Sequence, residues 1–158
     1  MELEKILNEL TFELNNKGLS IGSVEQCSYG LIGASIASKC GVNGPYKGTL
    51  TVCGKESVND IAEVSENIVK NYGMVSSHVA RQMAVGGIYK LKVNLCIAVV
   101  GDLENGVFWI CTARETPKML NFRYKTITLK GGNSEKMERV LYEALEVALL
   151  HVLENVNG

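Results

Sequence analysis

A three-layer α/β/α domain with a mixed sheet is predicted by three observations. Apolar runs of strand length alternate with stretches of helical periodicity, and the last two apolar runs, residues 93–101 and 106–114, are joined by the short turn Glu104-Asn105-Gly106. The chain has 158 residues, 46% of them hydrophobic, which suffices for one domain that buries about two-thirds of its unfolded surface and leaves no room for a second. Residues 1–158 are therefore expected to form a single domain.

The elements follow in order. Leu3, Ile6, Leu7, Leu10 and Leu14 recur at helical spacing over residues 2–17, and Asn15-Asn16-Lys17-Gly18 supplies the stop signal. Residues 19–25 (LSIGSVE) read as a strand and residues 27–40 as a helix, with Gly30, Gly33, Ala34 and Ala37 small enough to let it lie close to a sheet. Residues 46–54 are a second strand of β-branched and apolar residues. Two short helical pieces come next, at 55–63 and 65–73, and Ser65 and Ser76 are expected to cap successive helices, the later one covering residues 77–91. The run VNLCIAVVG is apolar throughout, as a strand covered on both faces must be. Its hairpin partner carries Trp109, expected in the core. In residues 120–130 Phe122, Tyr124, Thr126 and Thr128 alternate with Arg123, Lys125 and Ile127, a half-exposed strand. One long helix over 131–153 closes the chain, with Met137, Val140, Leu141, Leu145, Ala148, Leu149 and Val152 on one face.

Composition excludes several function classes. Sixteen basic residues stand against seventeen acidic ones with no block of either sign, so neither nucleic acid nor an anionic membrane is an expected partner. No apolar run approaches the roughly 18–20 residues that cross a bilayer, and MELEKILNEL is acidic and amphipathic, unlike a basic targeting segment. A cytoplasmic protein is expected. Cys27, Cys40, Cys53, Cys96 and Cys111 lack C-x-x-C spacing and read as reduced thiols, with no metal expected. His78 and His151 have no carboxylate pattern around them and are expected at the surface or as caps.

Ligands of open α/β folds sit at the carboxyl ends of strands, beside helix N-termini. That places the candidate site at Glu25, Gln26, Cys27, Ser28, Tyr29 and Gly30, where a strand turns into a helix. Cys27 and Ser28 are candidate nucleophiles at that helix start, with Lys55 as the base; against this stand the roles of buried hydrophobe for Cys27 and helix cap for Ser28.

The sequence resembles the C-terminal domain of the CinA competence/damage-inducible proteins, the nicotinamide-nucleotide amidases, over nearly its whole length. The most specific match is the family stretch H-G-A-V-S-x-x-V-A-x-x-M-A-x-G-A, followed here by Tyr72, Gly73, Met74, Val75, Ser76, Val79, Ala80, Met83, Ala84 and Gly86. The family turn A-E-S-C-T-G-G corresponds to Val24 through Gly30, so Glu25, Cys27 and Gly30 are kept while Gln26 stands at the serine nucleophile. The block Y-S-N-E-A-K corresponds to Cys53 through Val58; Glu56 is kept and the family lysine that activates the serine falls at Val58. A glycine-rich loop is shortened to VVGDLENGVF, leaving Gly101 and Gly106, and the G-D-R before the last helix leaves Gly132 and, from the start of that helix, Arg139.

The resemblance implies a fold of this type, conversion of nicotinamide mononucleotide to nicotinic acid mononucleotide and ammonia in intact members, no metal or other cofactor, and self-association. Combined with the substitutions at Gln26 and Val58, it leads to the expectation of a catalytically degenerate domain acting as a ligand-binding or interaction module for a nucleotide or nicotinamide-type small molecule. The implied pocket comprises Glu25, Gln26, Cys27, Ser28, Tyr29, Gly30, Cys53, Lys55, Gly101 and Arg139. The alternative is a divergent amidase using Ser28 or Cys27 with Lys55. A homo-oligomer, most simply a dimer, is also expected from the amphipathic terminal helices and from a β-hairpin that the shortened loop should leave poorly covered.

Overall fold

Each face of a single twisted sheet is apolar, and among the described residues six helices divide between the two faces. The computed structural model describes residues 2–155; Met1 and residues 156–158, at the ends of the expected domain, lie outside the described residues. In chain order the elements are α1 (Glu2–Lys17), β1 (Ile21–Glu25), α2 (Leu31–Ala37), β2 (Tyr46–Thr51), α3 (Lys55–Asp60), α4 (Glu66–Tyr72), α5 (Ser77–Leu91), β3 (Leu95–Asp102), β4 (Val107–Glu115), β5 (Leu120–Thr128) and α6 (Asn133–Leu153). The strand order is β2-β1-β3-β4-β5. β1 runs parallel to both β2 and β3, whereas β4 and β5 are antiparallel to their neighbours. The predicted α/β/α layering with a mixed sheet is the one observed.

One core lies between the sheet and α1, α2 and α6, with Leu10, Leu14, Ile32, Ile97, Phe108, Ile110 and Leu145 among its fully buried members. The other lies under α3, α4 and α5 and includes Val24, Val58, Met83, Ala98 and Cys111. The chain leaves β1 through α2 on the first face and reaches β3 through α5 on the second. The carboxyl ends of β1 and β3 therefore flank a topological switch point, where open α/β sheets hold ligands.

Ser65 and Ser76 cap α4 and α5 as expected, accepting from the N–H groups of Asn67 and Val79. Other expectations need correction. α2 begins at Leu31 rather than at Cys27, because Tyr29 (φ 51°) and Gly30 (φ 90°) both take the left-handed conformation that a helix excludes. The β3–β4 hairpin is covered, with β3 buried over Leu95–Gly101 and α5 packed along its second face. Trp109 is only half-buried, at the margin of that core. The uncovered strand is β5 at the sheet edge, where Tyr124, Thr126 and Thr128 are exposed.

His151 is fully buried rather than at the surface. Its Nδ1 lies 2.6 Å from the Thr112 hydroxyl and its Nε2 2.9 Å from Asn121 Oδ1, a pattern that a neutral ring satisfies by accepting from the first and donating to the second. Arg114 beside it donates to the carbonyls of His151, Val152 and Glu154, closing the C-terminus of α6. Burial pushes the His151 pKa down to about 4. Because the unfolded chain binds the proton near the usual pKa of about 6.5, the neutral histidine's contribution is complete above that pH and is lost as pH falls towards 4. Urea unfolding at pH 7.5 and at pH 5 should therefore show a loss of about 2 kcal/mol that His151→Asn does not show; equal pH dependence in both proteins would contradict the assignment.

Candidate functional site

β1 ends in Glu25, whose carboxylate is fully buried. A buried charge needs compensation, and here it accepts four hydrogen bonds. The Ser28 hydroxyl (2.6 Å) and Ile32 N–H (3.0 Å) reach Oε1, and the Ser23 hydroxyl (2.7 Å) and Gly33 N–H (2.8 Å) reach Oε2. Ile32 and Gly33 lie in the first turn of α2, whose cap residue Gly30 has no side chain to offer, so Glu25 caps that helix from outside. Gly33 lets the helix come this close: a Cβ there would stand 1.9 Å from Thr49 Oγ1 on β2. Glu25 and Ser28 are thus committed to holding the turn, and neither lines the cleft beside Gln26.

Gln26 follows. Its backbone N–H donates to Val99 O at 3.0 Å, the last step of the β1–β3 ladder. Its side chain then spans the space where β1 parts from both neighbours: Nε2 donates to Cys53 O at 3.0 Å and Oε1 accepts from Gly101 N–H at 2.9 Å. Gly101 cannot be larger, because a Cβ there would lie 2.1 Å from Cδ1 of buried Phe108 and 3.0 Å from Cys27 Sγ.

A cleft of about 670 Å³ opens beside this clamp, lined by Gln26, Cys27, Tyr29, Gly101, Asp102 and Leu103 with Met74, Val75, Glu104 and Asn133. Met74 and Val75 lead into α5, and Asn133 opens α6, so two helix N-termini border it. The Asn105 backbone N–H leads the hydrogen bonds, with Asn105 Nδ2 and Glu104 N–H, that hold the Asp102 carboxyl below its usual range. The Cys27 thiol is buried, and desolvation pushes its pKa up to about 12, so no thiolate forms at neutral pH.

Of the residues singled out from the sequence, Gln26, Cys27, Tyr29 and Gly101 meet in this cleft, and Cys53 joins them through its carbonyl alone. Gly30 shapes the turn without lining the cleft. Lys55 lies in a separate groove with Glu56, Asn59, Asp60 and Glu66. Val58 is buried in the second core. Arg139 stands on another surface, beside Glu2, Leu3 and Tyr142, and donates to Glu143 Oε1 at 2.8 Å. Six residues along α6 from Asn133 carry it about 9 Å up the helix axis and round to the side facing α1. Met74, Val75, Asp102, Leu103, Glu104 and Asn133 were not marked by sequence reasoning, although the first two belong to the NYGMVSSHV stretch and the next three to the shortened loop.

Tyr29 is 53% exposed and sits where the family turn has glycine. A left-handed non-glycine residue costs about 1–2 kcal/mol, comparable to or above the entropy a glycine adds to the unfolded chain. Tyr29→Gly is expected to leave the melting temperature unchanged or raise it, and a clear fall would show that the phenol ring holds the turn.

Sequence comparisons show the relationship, and solved structures share the fold. The CinA C-terminal domain profile matches residues 3–152. A CinA-like protein of Flavobacterium psychrophilum is 30% identical over 97% of this chain, which spans 37% of that relative's length. A Mycoplasma pneumoniae protein described as "Protein MG115 homolog" is 25% identical over 92% of this chain and 95% of its own. Among solved structures, a competence/damage inducible protein from Agrobacterium tumefaciens superposes with a TM-score of 0.88 at 20% identity, covering 98% of this chain and 97% of its own. A CinA superfamily protein from Escherichia coli gives 0.83 at 20% identity, covering 96% and 90%. With its profile match spanning nearly every described element, the chain belongs to the CinA C-terminal domain family.

Proposed function

We propose that this chain is a CinA-type ligand-binding domain that has lost amide hydrolysis. The observation that carries the reading is the double hydrogen bond of Gln26: the residue at the family's nucleophile position is a carboxamide held at both ends by backbone. Hydrolysis of an amide needs a nucleophile, a base within hydrogen-bond reach and donors for the oxyanion, and base assistance alone contributes on the order of 10²–10⁴ in rate. Gln26 cannot attack, and Val58 cannot serve as base. The divergent-enzyme alternative fares no better, since the Ser28 hydroxyl is turned inward to Glu25, the Cys27 thiol stays protonated and Lys55 lines another groove.

The cleft itself supports retained binding. Its position at the switch point and the helix N-termini beside it suit a nucleotide or nicotinamide-type small molecule, with the phosphate at those N-termini. The exposed edge of β5 supports self-association, and five unpaired cysteines support a reducing, cytoplasmic setting. No helix among the described residues is long and apolar enough to cross a membrane. The test is a thermal-shift titration with nicotinamide mononucleotide in which ammonia is measured in the same samples. A saturable rise in melting temperature without ammonia is expected; no shift would remove the ligand-binding role, and ammonia that disappears with Ser28→Ala or Cys27→Ala would restore catalysis.

A further inference from the structure

We propose that the free edge of β5 pairs with the same strand of a second copy, antiparallel about a two-fold axis at Phe122, and so joins two five-stranded sheets into one. The inference rests on the reading of the chain as self-associating and names the surface and its register. Ligand binding and loss of hydrolysis do not enter it.

The two edges of the sheet differ. β2 follows Pro45, carries the exposed Lys47 and breaks register there, with Ile21 opposite Tyr46 but Gly22 opposite Gly48. Proline, lysine and bulges are the devices by which an edge refuses further pairing. β5 has nine residues with neither proline nor glycine, and its register with β4 is unbroken from Leu120 to Thr128. Its cations do not guard it either. Both are drawn down onto the α6 side in ion pairs, Lys125 with Glu143 (2.5 Å) and Glu146 (3.6 Å), and Arg123 with Glu154 (3.0 Å).

Hydrogen bonding fixes which backbone groups face outward. At the two ends of the β4–β5 ladder Leu129 N–H donates to Gly106 O (2.7 Å) and Thr116 N–H to Met119 O (2.9 Å), so by the alternation of an antiparallel pair the odd-numbered residues of β5 bond to β4. Leu120, Phe122, Tyr124, Thr126 and Thr128 turn their N–H and C=O groups away from it. A second β5 can therefore bond only even residue to even residue, and side chains choose among those registers. An axis at Arg123 or Lys125 sets a cation against its own copy, and an axis at Tyr124 sets Arg123 against Lys125 twice. Axes at Phe122 and Thr126 avoid both. The Thr126 axis joins threonines, whereas the Phe122 axis lays Phe122 against Phe122 and Leu120 against Tyr124 twice, which covers half-buried and exposed apolar surface. Such aromatic and branched pairs contribute about 0.2–1 kcal/mol each, so Phe122 is favoured. Arg81 reaches the Phe122 ring from α5, above the sheet, at 4.2 Å, and leaves the strand edge free.

The experiment is sedimentation of the full chain across micromolar concentrations, comparing wild type with four variants. Wild type is expected to sediment as a dimer. Tyr124→Pro removes an outward N–H and leaves the bonds to β4 in place, and it should raise the dimer dissociation constant at least about tenfold. Tyr124→Lys, which leaves the backbone unaltered, should do the same and carries the test if the proline variant does not fold. Thr128→Pro lies beyond the paired stretch, and Leu150→Glu stands on the exposed side of α6, where Leu150 is 46% exposed; both should sediment as wild type does. A monomeric wild type would overturn self-association and the proposal together. A dimer that persists in both Tyr124 variants, or one that Leu150→Glu dissociates instead, would overturn the strand pairing and leave self-association standing. Dissociation by Thr128→Pro as strong as by Tyr124→Pro would overturn the register.

Discussion

Glu25→Ala is expected to lower the free energy of unfolding by roughly 3–5 kcal/mol, a large part of what a domain of this size possesses. The substitution leaves the Ile32 and Gly33 N–H groups at the start of α2 and the Ser23 and Ser28 hydroxyls without their acceptor, in a place that solvent does not reach. Hydroxyls can rotate to new partners; backbone amides cannot, so most of the cost comes from the two N–H groups. Ser23 further links Glu25 to β2, because its hydroxyl lies 2.8 Å from Thr49 Oγ1, which in turn lies 2.7 Å from the Tyr46 hydroxyl. Glu25→Gln should lose less than Glu25→Ala, since it keeps one acceptor but turns an NH₂ towards donors. Urea unfolding of the three proteins measures this order. A loss below about 1 kcal/mol for Glu25→Ala would mean that water or a local shift satisfies α2 without the carboxylate.

The second large effect is expected from Gln26→Ser combined with Val58→Lys, which puts the family's nucleophile and base types back at their positions. No turnover of nicotinamide mononucleotide should appear, and stability should fall by on the order of 3 kcal/mol. Val58 is completely buried among Val52, Ala62, Val64 and Val69, so a lysine there must either be desolvated or push α3 off the sheet. The shorter side chain introduced by Gln26→Ser would release Cys53 O and Gly101 N–H, and the wall that Gln26 supplies would be gone. Catalytic groups acting as a unit are not rebuilt one at a time, because the reacting atoms must also be held within hydrogen-bond reach. Family-like ammonia release by this double variant, with stability intact, would show that the surrounding geometry is still catalytic.

Much of the fold was legible because it rests on periodicity. The apolar run of β3, the seam of α6 and the serine caps of α4 and α5 all stand in the local sequence, and the strand-end rule pointed to the turn after β1. What stayed hidden depends on contacts distant in sequence. Nothing near His151 announces Thr112 and Asn121, which make its burial tolerable. Glu25 reads as a pocket acid until α2 folds back over it. The reach of Gln26 to Cys53 and Gly101 follows only from the order of strands, and the departure of Arg139 from the cleft follows only from the starting point and rotation of α6. Met74 and Asn133 enter the cleft because helix N-termini converge there, which no local pattern states.

Loss of hydrolysis is tested most directly by ammonia release from nicotinamide mononucleotide in excess, with wild-type protein at micromolar concentration and neutral pH. Ammonia should accumulate no faster than in buffer and should not depend on protein concentration. Accumulation in proportion to the protein, abolished by Ser28→Ala or by Cys27→Ala, would contradict the assignment of Gln26 as a structural clamp at a position that has lost its nucleophile.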